Sequence, residues 1–453
     1  MTALDVVARP IARAARLPLL APLAVRDFRL VWAGESISLL GDAFQTVAVS
    51  WLVLGLTGSG LALGAILIAA AIPRGIFMLL GGVLADRISP RDLALGSNVL
   101  RAVLTTIVAF LVLGSQIQIW HLVAVGVVFG TVDAVFLPAI NTLVPRLVPP
   151  GRLAAANALM QGTAQLMSTV GPAIAGFTIA LIGVGVAFVI DAASFAIAAL
   201  ALWLVRSGAT ASSEMEMARE PAIAVASATV PVPEPSVTTD PDMPKASIAS
   251  ALVEGARVVL GDPVMRSIVL VSTVLNLALT GPAAVGLPWL VLVGFGGDAL
   301  ALGLLFAAFG AGSLVGAVLG GSLRRPSQFG WLIYGLVIEV GIGVAAISVA
   351  PTIPVAAVIL VIVGVTLGYT NVVMVAWVQE KTDPLLLGRT MSFLMLGSVV
   401  AAPLSLALAA VLVDTYAAAM FAAAGALIVG TGLFAIATGL PQRMNDASAT
   451  MPR

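Results

Sequence analysis

The chain has 453 residues, 60% hydrophobic and only 10% charged, with 22 basic and 22 acidic side chains and a mean hydropathy of +1.11. A soluble chain carries about 25% charged residues, so this much apolar surface calls for lipid as the main solvent. Zero formal charge gives nucleic acid no footing; the lack of cysteine excludes disulfides and thiolate chemistry, and the single histidine, His121, excludes a multi-histidine metal site.

Residues 1–27 are dotted with arginine and lack an apolar core ending in a cleavage site, so a cytoplasmic N-terminal segment is expected there. Apolar runs long enough to cross about 30 Å of hydrocarbon follow. Six fall near 28–55, 61–85, 92–114, 119–144, 153–180 and 184–205, an N-terminal half over 28–206. Residues 207–247 are rich in Pro, Ser, Thr and acids without a sustained apolar face, the composition of a flexible linker. Six more runs, near 264–292, 299–323, 327–349, 354–379, 387–413 and 416–438, belong to a C-terminal half over 248–438, which opens on a short amphipathic lead-in. Residues 439–453 are expected as a cytoplasmic tail. The predicted fold is an all-α integral membrane protein of twelve transmembrane helices in two six-helix halves.

The halves look like copies. "WLVLGLTGSGLALGAILIAA" from Trp51 and "WLVLVGFGGDALALGLLFAA" from Trp289 share a tryptophan-led run, a Gly-rich break and an "LALG" start to the next span. Parallel repeats of this kind build several transporter folds, with the binding site near the bilayer midplane between halves. Arginines and lysines gather at one set of connections (Arg87 and Arg91, Arg146 and Arg152, Arg324 and Arg325, Lys381 and Arg389), and the alternate connections contain none. By the positive-inside rule both termini and the linker are cytoplasmic, in a multi-pass protein of the cell membrane.

Charges inside the spans need a task or a partner. An ionised Asp at the centre of a membrane helix costs about 2.5–3.5 kcal/mol on insertion scales. The first span nevertheless carries Glu35 and Asp42, and Arg74, Arg101, Asp133, Asp191 and Glu339 follow in later ones. Glu35, Ser38, Asp42, Gln45 and Thr46 fall on one broad helical face. Asp42 therefore either faces a wet cavity and exchanges protons, or locks helices together in a permanent pair with Arg74 or Arg101. Alternating proximity to an arginine would change its hold on a proton. Glu35 and Asp133 are further proton-coupling candidates, with Arg101 the expected neighbour of Asp133. Glu339 and Asp191 read as structural.

In the seventh and tenth spans, Asn276 and Thr280, and Thr366, Tyr369, Thr370 and Trp377, offer amide, hydroxyl and aromatic groups suited to an amphipathic organic ligand. Trp377 reads equally as a helix-packing aromatic.

"GGVLADRISPR", between the second and third spans, resembles the loop signature of the major facilitator superfamily, with Gly82, Asp86, Arg87 and the terminal basic residue Arg91 in matching places. Ser89 and Pro90 depart from that signature. "FRLVWAGESISLLGDAF", "FLPAINTLVPRLVPPGRLAAANAL" and "LGRTMSF" resemble the macrolide-efflux and enterobactin-exporter-like group of drug:proton antiporters. "GPAIAG", with Gly171, Pro172 and Gly176, is similar to that group's antiporter signature, Ala175 replacing one glycine. The resemblance implies that the first span lines the central cavity, turning its polar stripe inward. It implies that the fifth and eighth spans meet between halves, through Gly171, Gly176, Gly312 and Gly316. It also implies that Asp86 meets the start of the eleventh span as a cytoplasmic gate.

The expected function is export of a small amphipathic compound, a drug or secondary metabolite, by proton antiport with alternating access. Uptake or uncoupled facilitation is the alternative within transport. A membrane-embedded enzyme has no motif behind it, so no enzymatic activity is expected. The expected partners are a small-molecule substrate, protons and the lipid bilayer, with no cofactor, metal or nucleic acid; the expected state is a monomer.

Overall fold

Inside hydrocarbon every backbone N–H and C=O must be satisfied within the protein, and the described residues answer with helices. The computed structural model describes residues 18–85, 88–206, 256–257, 261–382 and 387–449; the expected linker at 207–247 lies outside them. After a 3-10 turn at Pro18–Ala24, the N-terminal half contains α1 (Arg26–Thr57), α2 (Gly60–Ala85), α3 (Pro90–Leu113), α4 (Ile119–Leu147), α5 (Leu153–Ile182) and α6 (Val184–Leu204). Gly58, at φ 64°, takes the left-handed conformation that ends α1 and returns its N–H to the Leu54 carbonyl at 2.7 Å.

The C-terminal half begins with α7 from Pro263, whose first turn is capped by Asp262 through the N–H groups of Val264 (2.8 Å) and Met265 (3.2 Å). Beyond Gly281 the helix continues to Gly294 through two π-helical stretches, Pro282–Gly286 and Leu290–Gly294, separated by Leu287–Trp289. Next come α8 (Ala299–Ser322), α9 (Phe329–Ile347) and α10 (Ile353–Lys381). The last apolar run is helical from Leu387 to Ala437, but Tyr416 departs from helical geometry (φ −132°, ψ 36°). A straight helix of that length would reach about 75 Å, more than twice the hydrocarbon thickness. The break divides it into two crossings, α11 over 387–415 and α12 over 417–437. Among the described residues eleven helices are long and apolar enough to cross a membrane, and the break within the last completes twelve crossings.

Packing repeats between the halves. In the first, α1 lies on α5 and α6, α2 on α4, and α3 on α4 and α6; in the second, α7 lies on the α11–α12 hairpin, α8 on α10, and α9 on α10 and α12. Helices consecutive in the chain alternate in direction, so α1 and α6 run antiparallel: Gly34 meets Ala198 and Ala201 of α6, while Gly41, further along α1, meets Ser194. Pro18 and Ala449 therefore share one face of the bundle, the terminal face, opposite a distal face.

Both described chain ends are docked. The Arg152 guanidinium donates to the Ala21 carbonyl at 3.3 Å, holding the Pro18–Ala24 turn near α5. The segment after 438, expected as a tail, contains a short helix, α13 (Leu440–Ala449). Met444 of α13 is fully buried, Asn445 accepts the Gly330 N–H at 2.6 Å, and Ser448 accepts the Trp377 indole N–H at 2.9 Å.

Candidate functional site: a cavity between the halves

A cavity of about 590 Å³ lies between the halves, walled by α1, α2, α3, α4 and α6 on one side and α7, α8 and α11 on the other. Its lining is mainly aliphatic, with Gln45, Thr46, Arg74, Asp133, Asn276 and Thr280 as the main polar groups. Such a volume and balance suit a small organic molecule held by buried area and a few hydrogen bonds.

Asp133 sits at the cavity wall between two arginines, one oxygen paired with Arg74 and the other with Arg101. The arginines differ in setting. Arg74 is about half exposed and lines the cavity, whereas the Arg101 side chain is 5% exposed, with its guanidinium 4.2 Å from the Phe136 ring centroid and 5.5 Å from that of Phe195. This stacking suits the weakly hydrated, planar guanidinium in particular.

Asp42 makes no ion pair with either arginine and does not line the cavity; it sits one helical turn from Gln45 toward the terminal face. Asp42, Glu35 and Asp191 all lie within electrostatic reach of Arg101. Asp191 is fully buried on α6 against Gly41, and neither of its carboxyl oxygens has a hydrogen-bond partner. Away from the helix ends, the described spans of the N-terminal half thus set two arginines, Arg74 and Arg101, against four carboxylates, Glu35, Asp42, Asp133 and Asp191. Of these four, Asp133 is the one in direct ionic contact with an arginine among the described residues.

The halves touch along two seams that reach the distal face. On the first, α5 crosses α8 with backbones in contact: a Cβ on Gly303 would collide with the Pro172 carbonyl, and one on Gly176 with the Ala299 carbonyl. Gly310 lies against Thr169 further along this seam. On the second, α2 meets α11, Gly64 lying on Ala410. There Asp414 receives the Gly60 N–H (2.6 Å), the Ser59 hydroxyl (2.7 Å) and the Leu61 N–H (3.3 Å), so a carboxylate of one half caps a helix of the other.

The structure brings Gln45, Thr46, Arg74, Asp133, Asn276 and Thr280 together around the cavity. Ser38 and Thr366 are buried in helix packing away from it, and Tyr369 lies against α8. Trp377, a candidate cavity residue, is wholly buried at the terminal end of α10 and bonded to Ser448, which makes it a packing aromatic. Gly312 and Gly316 face the α10 backbone within the C-terminal half, and Gly171 faces Ala43 of α1, so of the expected interface set Pro172 and Gly176 are at the seam. Asp86 and Arg87 lie outside the described residues, and Gly82 is in the last turns of α2. Arg91 reaches α6, donating to the carbonyls of Leu202 (3.0 Å) and Trp203 (2.7 Å) and fixing that helix end. Sequence reasoning missed Gly303 within the repeated "LALG", Gly310, and Asp414 at the second seam.

Two pseudo-symmetric bundles enclosing a shared cavity, joined by small-residue and capping contacts, define a two-half membrane transporter. Residues 31–404 match the Major Facilitator Superfamily, to which the chain belongs. It is 23% identical over 391 residues to macrolide efflux protein A of Streptococcus pyogenes, covering 85% of this chain and 89% of that protein. It is 26% identical over 400 residues to the multidrug efflux pump Tap of Mycolicibacterium fortuitum, covering 87% of this chain and 89% of the pump. A bacterial homologue of the iron transporter ferroportin, solved in an inward-facing state, superposes with a TM-score of 0.66 at 16% identity, over 93% of this chain and 98% of that one. That likeness concerns the fold alone.

Proposed function

We propose that this transporter exports a small amphipathic organic compound from the cytoplasm in exchange for protons. The imbalance of four carboxylates to two arginines inside the N-terminal half, in a cluster that reaches the cavity wall through Arg74 and Asp133, carries the reading. Two arginines can neutralise only two of the four, and an unpaired carboxylate away from water is costly, so the remainder make sense as groups that take up and release protons. Asp42, a turn from the cavity and near Arg101 without contact, is the principal coupling residue. Arg74 and Asp133 at the cavity wall link occupancy to that cluster.

Export is supported by the efflux names of two relatives covering most of the chain and by an aliphatic cavity with few polar groups. The arginine-rich terminal face is cytoplasmic by the positive-inside rule. With the halves joined distally, the structure then represents the state closed to the outside, from which substrate loads.

Efflux of a panel of amphipathic drugs from proteoliposomes under an imposed pH gradient tests this reading, with wild type beside Asp42→Asn. Gradient-driven flux is expected in wild type and lost in the variant, with drug binding retained. Wild-type flux indifferent to the gradient would remove proton exchange, and coupling undiminished in Asp42→Asn would remove that residue from the role.

A further inference from the structure

A second cavity, of about 650 Å³, lies inside the C-terminal half between α7, α9 and α10. Ile268, Val378 and Met444 place one end near the terminal face. Asn276 and Thr280 line both this chamber and the central cavity, so one face of α7 serves the two.

The equivalent space in the N-terminal half is occupied. There Arg101 stacks on Phe136 and Phe195 and pairs with Asp133, with Asp191 buried behind α1. Its counterpart is hollow, and no Asp, Glu, Lys or Arg is among the described residues that line it. Its walls are aliphatic, with the flexible thioethers of Met374, Met391 and Met444, which adapt to varied shapes. Its polar groups are all uncharged: beside Asn276 and Thr280 stand the hydroxyls of Ser272, Ser313 and Tyr334, the Thr370 hydroxyl, buried without a hydrogen-bond partner, and the exposed Asn371 amide.

We propose that this chamber is a second ligand site, for an uncharged and predominantly apolar ring compound carrying hydrogen-bonding groups. The same chamber can take the uncharged body of a larger molecule whose other end occupies the central cavity. A charged ligand group would find no counter-ion in the lining and would lose its hydration on entry. A neutral ring system loses nothing comparable, and the uncharged amides and hydroxyls of the lining, the Thr370 hydroxyl and the Asn371 amide among them, supply the bonds that orient it. The proposal rests on the transport reading only for the route of entry, from the terminal face.

Because the chain contains no cysteine, single-cysteine variants report one position each. The purified full chain in lipid nanodiscs carries Asn371→Cys in the chamber, Gln45→Cys in the central cavity, or Gln442→Cys on α13 as an exposed reference. Each reacts with uncharged N-phenylmaleimide and with a sulfonated maleimide. Normalised to the reference, Asn371→Cys is expected to favour the uncharged reagent by about tenfold or more, the order of cost for bringing a charge into an unpaired apolar site. Gln45→Cys, beside Arg74 and Asp133, is expected to discriminate less. Nile red, an uncharged ring dye, is expected to slow the reaction at Asn371→Cys without slowing the reference. Equal reaction with both reagents, an inert cysteine, or no protection by Nile red overturns the proposal. Thr370→Cys provides the same readout if Asn371→Cys does not fold. No gradient or flux enters the assay, so a positive result beside a silent drug panel would remove the transport reading and leave the chamber standing.

Discussion

Asp414, near the end of α11, receives the backbone N–H of Gly60 at the start of α2 at 2.6 Å, across the boundary between the halves. The bond exists only while the distal ends are together, and the carboxylate meets the positive end of a helix dipole. It therefore weights the equilibrium toward the distally closed state. Asp414→Ala removes the cap, worth about 0.5–2 kcal/mol for comparable helix caps. A change of about 1–2 kcal/mol shifts a two-state ratio by a factor of roughly 5–30. Spin labels at Leu56 and Tyr416, both exposed near the distal face, should show a longer-distance population growing in the variant. An unchanged distance distribution would remove the latch role.

Glycines at the two kinds of contact should fail differently. Gly303→Ala inserts a methyl against the Pro172 carbonyl, between halves that can simply stay apart. The expected result is a normal melting temperature, reduced flux and greater access to the cavity from the distal side. Gly316→Ala inserts a methyl against Val365 of α10, within one half that has no open alternative. Overpacking of that kind costs about 1–3 kcal/mol, so melting temperature should fall. Thermal unfolding in detergent and cysteine accessibility in the cavity separate the two outcomes.

The two arginines around Asp133 should also divide. Arg101→Ala leaves carboxylates buried without their cation, and breaking such a cluster costs about 3–5 kcal/mol, enough to reduce the folded yield severely. Arg101→Lys should rescue little, since an ammonium lacks the planar face that stacks on Phe136 and Phe195. Arg74 is half exposed in the cavity, so Arg74→Ala should fold and lose transport. Melting temperature read beside flux distinguishes a structural cation from a working one. Equal destabilisation by both substitutions would contradict this division.

Truncation after Thr438 removes α13 and uncovers the surfaces that Met444, Asn445 and Ser448 occupy near Gly330 and Trp377. A lower melting temperature is expected. Trp377→Phe, which loses only the bond to Ser448, should cost about 1 kcal/mol. Neither change touches a residue that lines the central cavity, so the order of preference among transported compounds should persist in the Trp377→Phe variant.

Much of this architecture is legible in the chain because lipid is an unforgiving solvent. Span lengths and the significance of the intramembrane charges follow from hydrocarbon thickness and the cost of burying charge, and the repeat from Trp51 and Trp289 shows the two halves. The pairing of Arg101 with Asp133 was within reach for the same reason. What the sequence does not reveal is the partner of each helix face. Gly176 and Gly316 are equivalent as small residues, yet one meets the other half and the other meets α10. Trp377 and Thr370 are two turns apart on α10, and only a helix docked from residues 440–449 decides that the tryptophan is covered. Asp414 escaped notice because it lies outside the apolar runs, where a carboxylate carries no solvation penalty to mark it.

The π-helical turns of α7 bear on how such a molecule changes shape. Two solid blocks rocking about a fixed site would strain every element that belongs to one block and leans on the other. Trp289, between the π turns, is such an element, since it lies beside Gly60 of the opposite half. A wider turn holds one extra residue per loop of the ladder, and that surplus can migrate along the helix as hydrogen bonds exchange partners. The distal third of α7 can therefore swivel or slide a fraction of a turn without releasing a backbone group into lipid. A segment of this kind would serve as a torsional bearing between two stiff bodies, set above the lining residues Asn276 and Thr280 on the same helix.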